Sequence, residues 1–143
     1  MFVDIDRFKE INDTHGHGAG DVVLTTLARR FEHIVRKVDT VARIGGDEIT
    51  ILLSGVGSRE DAARVARKVI ESAREPMVAG GELLSVTVSV GIATPRPGDD
   101  ADALLSRADH AMYAVKRRGG GSFEFAGEPE PEAPPVRDPS PTA

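Results

Sequence analysis

The sequence predicts an α/β fold, because short apolar runs of strand type alternate along the chain with longer segments of helical periodicity. Runs of strand type lie at residues 2–6, 41–53 and 83–93, and apolar residues recur at helical spacing in residues 21–36 and in two later segments. The chain has 143 residues, of which 40% are hydrophobic. That is enough for one domain with a buried core.

The first half of the chain supplies three elements in order. Residues 2–6 are predicted to form a strand, and residues 7–20 form a polar, glycine-rich stretch. A helix is predicted for residues 21–36, where these apolar residues share one face: Val23, Leu24, Leu27, Ala28, Phe31, Ile34 and Val35. A β-hairpin is predicted for residues 41–53, because two apolar runs flank a Gly-Gly pair.

The second half supplies a helix and a strand. Ser58, followed by Asp61 three residues later, resembles a capping box and predicts a helix that ends before Pro76. Residues 83–93 alternate strictly between apolar and small residues, which predicts one half-buried strand. The small residues on its second face suit either close helix packing or a nearby ligand.

The C-terminal part ends the predicted domain. Residues 99–102 lead into a last helix, and residues 123–125 are predicted to add an edge strand. The tail from Ala126 contains six of the nine prolines and almost no apolar residues, so we expect it to be disordered. The predicted division is therefore a domain at 1–125 and a tail at 126–143.

Composition excludes several classes of function. The net charge is −5, which does not favour a general nucleic-acid-binding protein. The chain has no cysteine, hence no disulfide framework and no thiolate metal site, which is compatible with a cytoplasmic location. No apolar stretch approaches the roughly 18 residues of a membrane-spanning helix, and no secretory signal is visible.

Two acidic clusters indicate the chemistry. Residues 43–49 read Arg-Ile-Gly-Gly-Asp-Glu-Ile, so Asp47 and Glu48 directly follow the tip of the predicted hairpin. Asp4 and Asp6 interrupt the first strand, where an unpaired buried carboxylate is costly. Carboxylates on two strands suggest Mg²⁺, which prefers oxygen ligands and binds substrate phosphates. The hypothesis is nucleotide phosphoryl transfer, although the tip alone is also an ordinary turn composition.

A series of motifs, in one order and at one spacing, resembles a known protein family. The motifs read Phe-Val-Asp-Ile-Asp-Arg-Phe-Lys-Glu-Ile-Asn-Asp at 2–13, Gly-His at 16–17, Gly-Asp at 20–21, Arg-x-Gly-Gly-Asp-Glu at 43–48, Val-Thr-Val-Ser-Val-Gly-Ile at 86–92 and Ala-Asp-His-Ala-Met-Tyr-Ala-Val-Lys at 108–116. On these motifs the chain resembles the GGDEF-type diguanylate cyclase domain over about residues 2–125.

The resemblance implies an α/β sandwich with a central, mainly antiparallel sheet flanked by helices, similar to the adenylyl cyclase catalytic core. It also implies a nucleotidyltransferase of bacterial second-messenger signalling, which joins two GTP molecules into cyclic di-GMP and releases two pyrophosphates. The implied cofactor is Mg²⁺, with Mn²⁺ as its alternative. Each of two subunits would hold one GTP, so turnover would require a homodimer.

The same resemblance implies roles for individual residues. Asp4, the Ile5 carbonyl and Asp47 would hold the metal ion, and Asp47 with Glu48 would form the catalytic pair. Phosphate would be contacted by Phe8, Lys9 and Lys116. The guanine edge would be contacted by Asn12 and Asp21, and room for the nucleotide would be left by Gly45 and Gly46.

Plainer interpretations of several residues stay open. Asp6 is more often a structural or solvent-facing carboxylate, and Asn12 is also compatible with a simple turn. Lys116 is compatible with the basic last turn of a helix, which the helix dipole favours. The four histidines show no metal-like grouping, so zinc is not expected.

A second site is implied by Arg36 and Asp39, which form an Arg-x-x-Asp motif that ends six residues before Gly45. In the family this motif binds cyclic di-GMP and arrests the dimer, and its arginine stacks on a guanine or pairs with a phosphate. The family's partner arginine falls near Arg67 or Lys68 in this sequence.

The chain departs from the family pattern at three points. Ile49 stands where the family has Phe, and Gly120 replaces an arginine that helps to hold phosphates, with Arg117 or Arg118 as candidate substitutes. The chain also starts inside the first strand, without the family's first helix, so we expect exposed apolar surface and a concentration-dependent dimer. Two alternatives to the enzyme follow: a catalytically silent module that binds GTP or cyclic di-GMP, and a truncated product without function.

Overall fold

A five-stranded sheet forms the centre of the protein in a computed structural model that describes residues 1–127. Its strands lie in the order β2 (Thr40–Arg43), β3 (Glu48–Leu52), β1 (Phe2–Ile5), β6 (Val88–Ile92) and β7 (Phe123–Phe125). Neighbouring strands are antiparallel except β6 and β7, which are parallel. The predicted α/β class with a mainly antiparallel sheet is confirmed.

Helices cover both faces of this sheet. The helices are α1 (Phe8–His15), α2 (His17–Ile34), α3 (Arg59–Arg74) and α4 (Ala101–Arg117). Val3 and Ile5 of β1 belong to the main core, which α2 and α3 complete, whereas Phe2 packs against Ala108 and Met112 of α4. Since side chains alternate along a strand, Asp4 shares the α4 face of the sheet with Phe2.

The stretch at residues 7–20 is more helical than the sequence predicted. It contains the whole of α1, and α2 begins at His17, four residues before the expected start at Asp21. Gly16, with φ 88°, separates the two helices. Glycine is a poor helix former and α1 is only eight residues long, so helix propensity alone does not predict that these residues are helical. Packing between α1 and α2 supplies their stability.

The strand predicted for residues 83–93 is divided in two. Its first part is β5 (Glu82–Leu84), which pairs with β4 (Met77–Ala79), a strand that the sequence did not predict, in a separate two-stranded sheet. Its second part, β6, is buried at all five residues rather than half-buried. The reason is close helix packing on the small-residue face, since a Cβ added to Gly91 would lie 1.9 Å from the Ala108 carbonyl oxygen.

The remaining elements agree with the sequence. The predicted hairpin corresponds to β2 and β3, and β7 is the predicted edge strand. Ser58 caps α3 by accepting a hydrogen bond from the Asp61 amide over 3.1 Å. Within residues 1–127, no helix combines the length and apolar character needed to cross a membrane. The predicted disordered tail falls largely on residues 128–143, which lie outside the described residues.

Candidate active site

Three acidic side chains meet where β1 lies beside the hairpin. The strand register pairs Asp4 with Glu48, and the Ile5 amide donates a hydrogen bond to the Asp47 carbonyl oxygen over 3.3 Å. One carboxylate oxygen from each of Asp4, Asp47 and Glu48 lies within 4.8 Å of the other two. The two acidic clusters that lie more than forty residues apart in the sequence therefore form one group.

The electrostatics of Asp4 reflect this crowding. Burial, followed by a hydrogen bond with the Asp47 side chain, raises the pKa of Asp4 to about 7 against the opposing charge of Lys116. Asp4 Oδ1 is buried and makes no hydrogen bond. A buried carboxylate oxygen that makes no hydrogen bond and lies beside two more carboxylates fits a site for a hard divalent cation such as Mg²⁺.

Lys116, in the last turn of α4, extends its ammonium to the same place. Its Nζ lies 3.2 Å from Asp4 Oδ1, as an ion pair without hydrogen-bond geometry, and 3.9 Å from Asp6 Oδ1. It also donates to the Ile5 carbonyl oxygen over 3.4 Å. Lys116 is therefore more than a solvated last-turn residue, because it contacts both backbone and carboxylate atoms of the acidic group.

Asp6 holds the framework around the site. It accepts hydrogen bonds from Thr87 Oγ1 over 2.7 Å, from Ser89 Oγ over 2.6 Å and from the Gly121 amide over 2.9 Å. These contacts join the end of β1 to the strand β6 and to the turn after α4. The structural interpretation of Asp6 agrees with this geometry, and the sequence signal that identifies its partners is the row of small hydroxyl residues before and within β6.

The turn at residues 119–121 explains the departure at Gly120. Gly120 has φ 75°, and a Cβ there would lie 2.4 Å from Asp6 Oδ2, so any larger residue requires a shift of this carboxylate. The two candidate substitutes for the missing arginine are engaged elsewhere. Arg117 lies over the ring of Tyr113 at 4.8 Å, and Arg118 forms an ion pair with Glu124 at 3.0 Å.

The residues implied for nucleotide binding lie on α1 and at the start of α2. Arg7 precedes α1 in the left-handed conformation, with φ 55° and ψ 33°, which is uncommon for a residue other than glycine. Phe8 and Lys9 form the first turn of α1, where backbone amides have no partner inside the helix. Asn12 follows one turn later, and Asp21 is exposed on α2. The strained Arg7 is a feature that sequence patterns do not reveal.

The hairpin tip is shaped by its own arginine. Arg43 donates hydrogen bonds from Nε to the Gly45 carbonyl oxygen over 3.1 Å and from its guanidinium to the Gly46 carbonyl oxygen over 2.8 Å. A Cβ on Gly45 would lie 2.8 Å from Glu48 Oε2, so glycine leaves room for this carboxylate. Ile49, the other departure from the family pattern, is buried in the main core.

The Arg-x-x-Asp pair lies at the start of β2, away from the acidic group. Arg36 and Asp39 form an ion pair at 3.3 Å, and Asp39 accepts a hydrogen bond from the Ser54 amide over 2.9 Å. Burial alone would raise the pKa of Asp39, but hydrogen bonds from Ser54 and Arg36 hold it below its usual value. The pair is thus preformed within one subunit.

Arg67, one of the two helix residues implied for this site, lies elsewhere in the subunit. Arg67 forms an ion pair with Glu60 at 3.0 Å and lies 5.7 Å from the ring centre of Phe123 on β7, the opposite edge strand of the sheet. Lys68 is exposed on the same helix. One subunit therefore does not bring Arg67 to Arg36.

Comparison with known proteins gives the family to which this α/β fold and its acidic group belong. Residues 1–122 match the family described as diguanylate cyclase, GGDEF domain. The chain therefore belongs to the GGDEF domain family, as the resemblance in the sequence indicated.

Relatives that are similar to this chain over most of its length include a diguanylate cyclase and a response regulator. Diguanylate cyclase TpbB of Pseudomonas aeruginosa is 45% identical over 128 residues, which cover 88% of this chain and 29% of TpbB. Response regulator PleD of Caulobacter vibrioides is 39% identical over 123 residues, which cover 83% of this chain and 27% of PleD. The chain thus spans less than a third of the length of these relatives.

Solved structures of GGDEF domains superpose on this fold. The GGDEF domain of TpbB, also called YfiN, from Pseudomonas aeruginosa matches with a TM-score of 0.84 and 45% identity, covering 90% of this chain and 81% of that chain. The GGDEF domain of DgcB from Caulobacter crescentus, in complex with c-di-GMP, matches with a TM-score of 0.81 and 30% identity, covering 87% of this chain and 75% of that chain.

Proposed function

We propose that this chain is the catalytic domain of a diguanylate cyclase, which condenses two GTP molecules into cyclic di-GMP and releases two pyrophosphates. The convergence of the Asp4, Asp47 and Glu48 carboxylates with the Lys116 ammonium carries this proposal. Membership of the GGDEF family, with relatives named diguanylate cyclase, supports it. Its cytoplasmic location stays a prediction.

In this proposal the acidic group holds a divalent metal ion. Asp4, the Ile5 carbonyl and Asp47 would bind Mg²⁺, with Mn²⁺ as its alternative, and Glu48 would support the site. The bound ion would supply positive charge to the triphosphate and to the charge that develops during pyrophosphate release. The observation on these residues that fits such an ion is the buried Oδ1 of Asp4, which makes no hydrogen bond.

The remaining residues bind and orient the two substrates. The first-turn amides at Phe8 and Lys9 and the ammonium of Lys116 would bind phosphates, because unpaired helix amides and a point charge both attract anions. Asn12 and Asp21 would hydrogen-bond the guanine edge. At the hairpin tip, Gly45 and Gly46 would leave room for the nucleotide.

The reaction joins two subunits of a homodimer that face each other. The 3′-oxygen of one GTP would attack the α-phosphorus of the GTP held by the other subunit. Its proton would pass to the Asp47 carboxylate, while the bond breaks between the α-phosphorus and the oxygen that links it to the β-phosphorus, and this oxygen leaves with the pyrophosphate. Two such steps close the ring of cyclic di-GMP and balance the release of two pyrophosphates.

Product analysis tests this proposal. Concentrated protein is incubated with GTP and Mg²⁺, and guanylyl products are separated by chromatography. We expect cyclic di-GMP or its linear dinucleotide precursor, and a loss of about 100-fold or more for Asp47→Asn, since a positioned proton acceptor contributes at least that factor. Glu71→Gln, a change at an exposed residue of α3, is the matched control and should retain full activity. Folded wild-type protein without guanylyl product would overturn the proposal.

A second candidate is a catalytically silent module that binds GTP or cyclic di-GMP. The observation that favours it is that Gly120 stands where a phosphate-binding arginine is expected. The nearby Arg117 and Arg118 contact other residues and do not replace it. Nucleotide binding without product in the same assay would support this candidate, and failure to bind either nucleotide would contradict it. Cooperative thermal unfolding would argue against a truncated product without function.

We also propose that Arg36 and Asp39 bind cyclic di-GMP as an inhibitory product. Their preformed ion pair supports this role, because a guanidinium held in place can pair with a phosphate or stack on a guanine. Arg67 or Lys68 would take part only from another subunit, given the position of Arg67 beside β7.

A further inference from the structure

Gly20 is a glycine inside a helix that another helix contacts very closely. It is buried in α2, where alanine would suit the helix better. A Cβ added to Gly20 would lie 1.9 Å from Asn12 Oδ1, 2.9 Å from Asn12 Cγ and 3.1 Å from Phe8 Cζ. Atoms do not approach so closely, so any larger residue at position 20 must displace the Asn12 side chain.

The Asn12 carboxamide depends on this contact for its position. Its Oδ1 is buried between α1 and α2 and has no hydrogen-bond partner. Asn12 and Phe8 lie one turn apart on α1, so the same face of that helix rests on Gly20. Since no hydrogen bond holds the oxygen, packing against the Gly20 backbone limits where the carboxamide lies.

We infer that Gly20 is a positioning residue that determines specificity. It holds the Asn12 carboxamide in the position from which this carboxamide selects guanine over adenine. The inference rests on the proposed function, in which Asn12 and Asp21 bind the guanine edge. Along this edge guanine presents a hydrogen-bond acceptor, O6, followed by two donors, N1–H and N2–H. Adenine presents the reverse order, a donor at N6 followed by an acceptor at N1. A carboxylate with a correctly placed carboxamide matches the guanine order.

The test replaces single glycines of α2 by alanine. Gly20→Ala is compared with Gly18→Ala, the matched control, because a Cβ at Gly18 meets nothing within 4 Å. The ligands are the α,β-methylene analogues of GTP and ATP, which cannot release pyrophosphate, so binding is measured by calorimetry without turnover. For Gly20→Ala we expect about a tenfold loss of affinity for the GTP analogue, as for about one lost hydrogen bond, and an unchanged affinity for the ATP analogue.

A double-mutant cycle separates positioning from folding. In an Asn12→Ala background the added methyl group of Gly20→Ala has no carboxamide to displace, so we expect no further loss of affinity for the GTP analogue. The inference is wrong if Gly20→Ala weakens both analogues alike, or if it has the same effect with and without Asn12. Should Gly20→Ala alone fail to fold, the double variant must fold and bind like Asn12→Ala.

The wild-type titration distinguishes the two proposals. Wild-type protein that prefers the GTP analogue, together with a Gly20→Ala variant that keeps this preference, overturns the role of Gly20 and leaves the proposed function intact. Folded wild-type protein that binds neither analogue overturns the proposed function, and the role of Gly20 with it.

Discussion

At the scale of single residues, Asp4 combines burial, a neighbouring carboxyl group and an ion pair. Its position in the central strand prevents it from moving into solvent, so its protonation must respond to its surroundings. The sequence identifies this residue because a carboxylate inside an apolar run is unusual. The elevated pKa could not be predicted, since it depends on burial and on the nearby Asp47, both of which arise only in the folded chain.

The elevated pKa of Asp4 predicts a specific pH dependence of stability. Because the folded pKa, about 7, lies above the ordinary value of 3.8, the contribution of Asp4 to stability is full at low pH and is lost as the pH rises through 7. We expect the free energy of unfolding of the metal-free protein to fall from about pH 4 to about pH 7, relative to Asp4→Asn. Urea unfolding at several pH values measures this difference, and a constant difference would contradict it.

Arg36 allows a test of the product site that is separate from catalysis. We expect Arg36→Ala to weaken cyclic di-GMP binding about tenfold or more, because a charge-assisted hydrogen bond or a stacking contact is lost. The initial rate of turnover, before product accumulates, should be unchanged. Calorimetry with cyclic di-GMP measures the affinity, and Lys37→Ala, at the adjacent exposed residue, is the control. Equal affinities in wild type and Arg36→Ala would exclude this site.

At the scale of elements, long and strongly patterned segments were predictable and short ones were not. The helix α3 and the hairpin follow from a capping residue, periodic apolar residues and a Gly-Gly pair within the segment itself. By contrast, α1 and the pair β4–β5 have too few residues to show a period, and their stability comes from contacts with α2. Similarly, the Asp6 contacts with Thr87 and Gly121 join segments more than eighty residues apart.

The packing of α4 on β6 gives a prediction for Gly91. A Cβ there would lie 1.9 Å from the Ala108 carbonyl oxygen and 2.4 Å from the Met112 amide nitrogen, both of them backbone atoms that cannot rotate away. We expect Gly91→Ala to lower the free energy of unfolding by about 3 kcal/mol, as a severe case of overpacking. Urea unfolding measures this loss.

The matched control is Gly18→Ala, which adds the same methyl group in open space and should leave stability unchanged or slightly higher. A Gly91→Ala variant as stable as Gly18→Ala would show that α4 can move away from β6 at little cost.

At the scale of the whole molecule, the proposed reaction requires two subunits. Residues 1–127 contain one such acidic group, and in the proposed reaction each subunit would hold one GTP, so each reacting 3′-hydroxyl would come from another copy. We expect the rate per subunit to rise with protein concentration at saturating GTP and Mg²⁺, because association is governed by mass action. Initial rates over a hundredfold range of protein concentration measure this.

A rate per subunit that stays constant over the whole range has two interpretations, which sedimentation separates. A dimer at the lowest concentration used would explain the constant rate. A monomer throughout, with a constant rate, would contradict the proposed reaction between subunits.

The strand β1 has hydrogen-bonded neighbours on both sides and also carries Asp4. Its amide protons should therefore be among the last in the protein to exchange with solvent, because they are released only when the whole sheet opens. The carboxylate proposed to bind the metal ion is thus attached to a strand that we expect to be among the least deformable in the protein. In the proposed reaction, adjustment to an incoming nucleotide would therefore occur in α1 and in the hairpin tip.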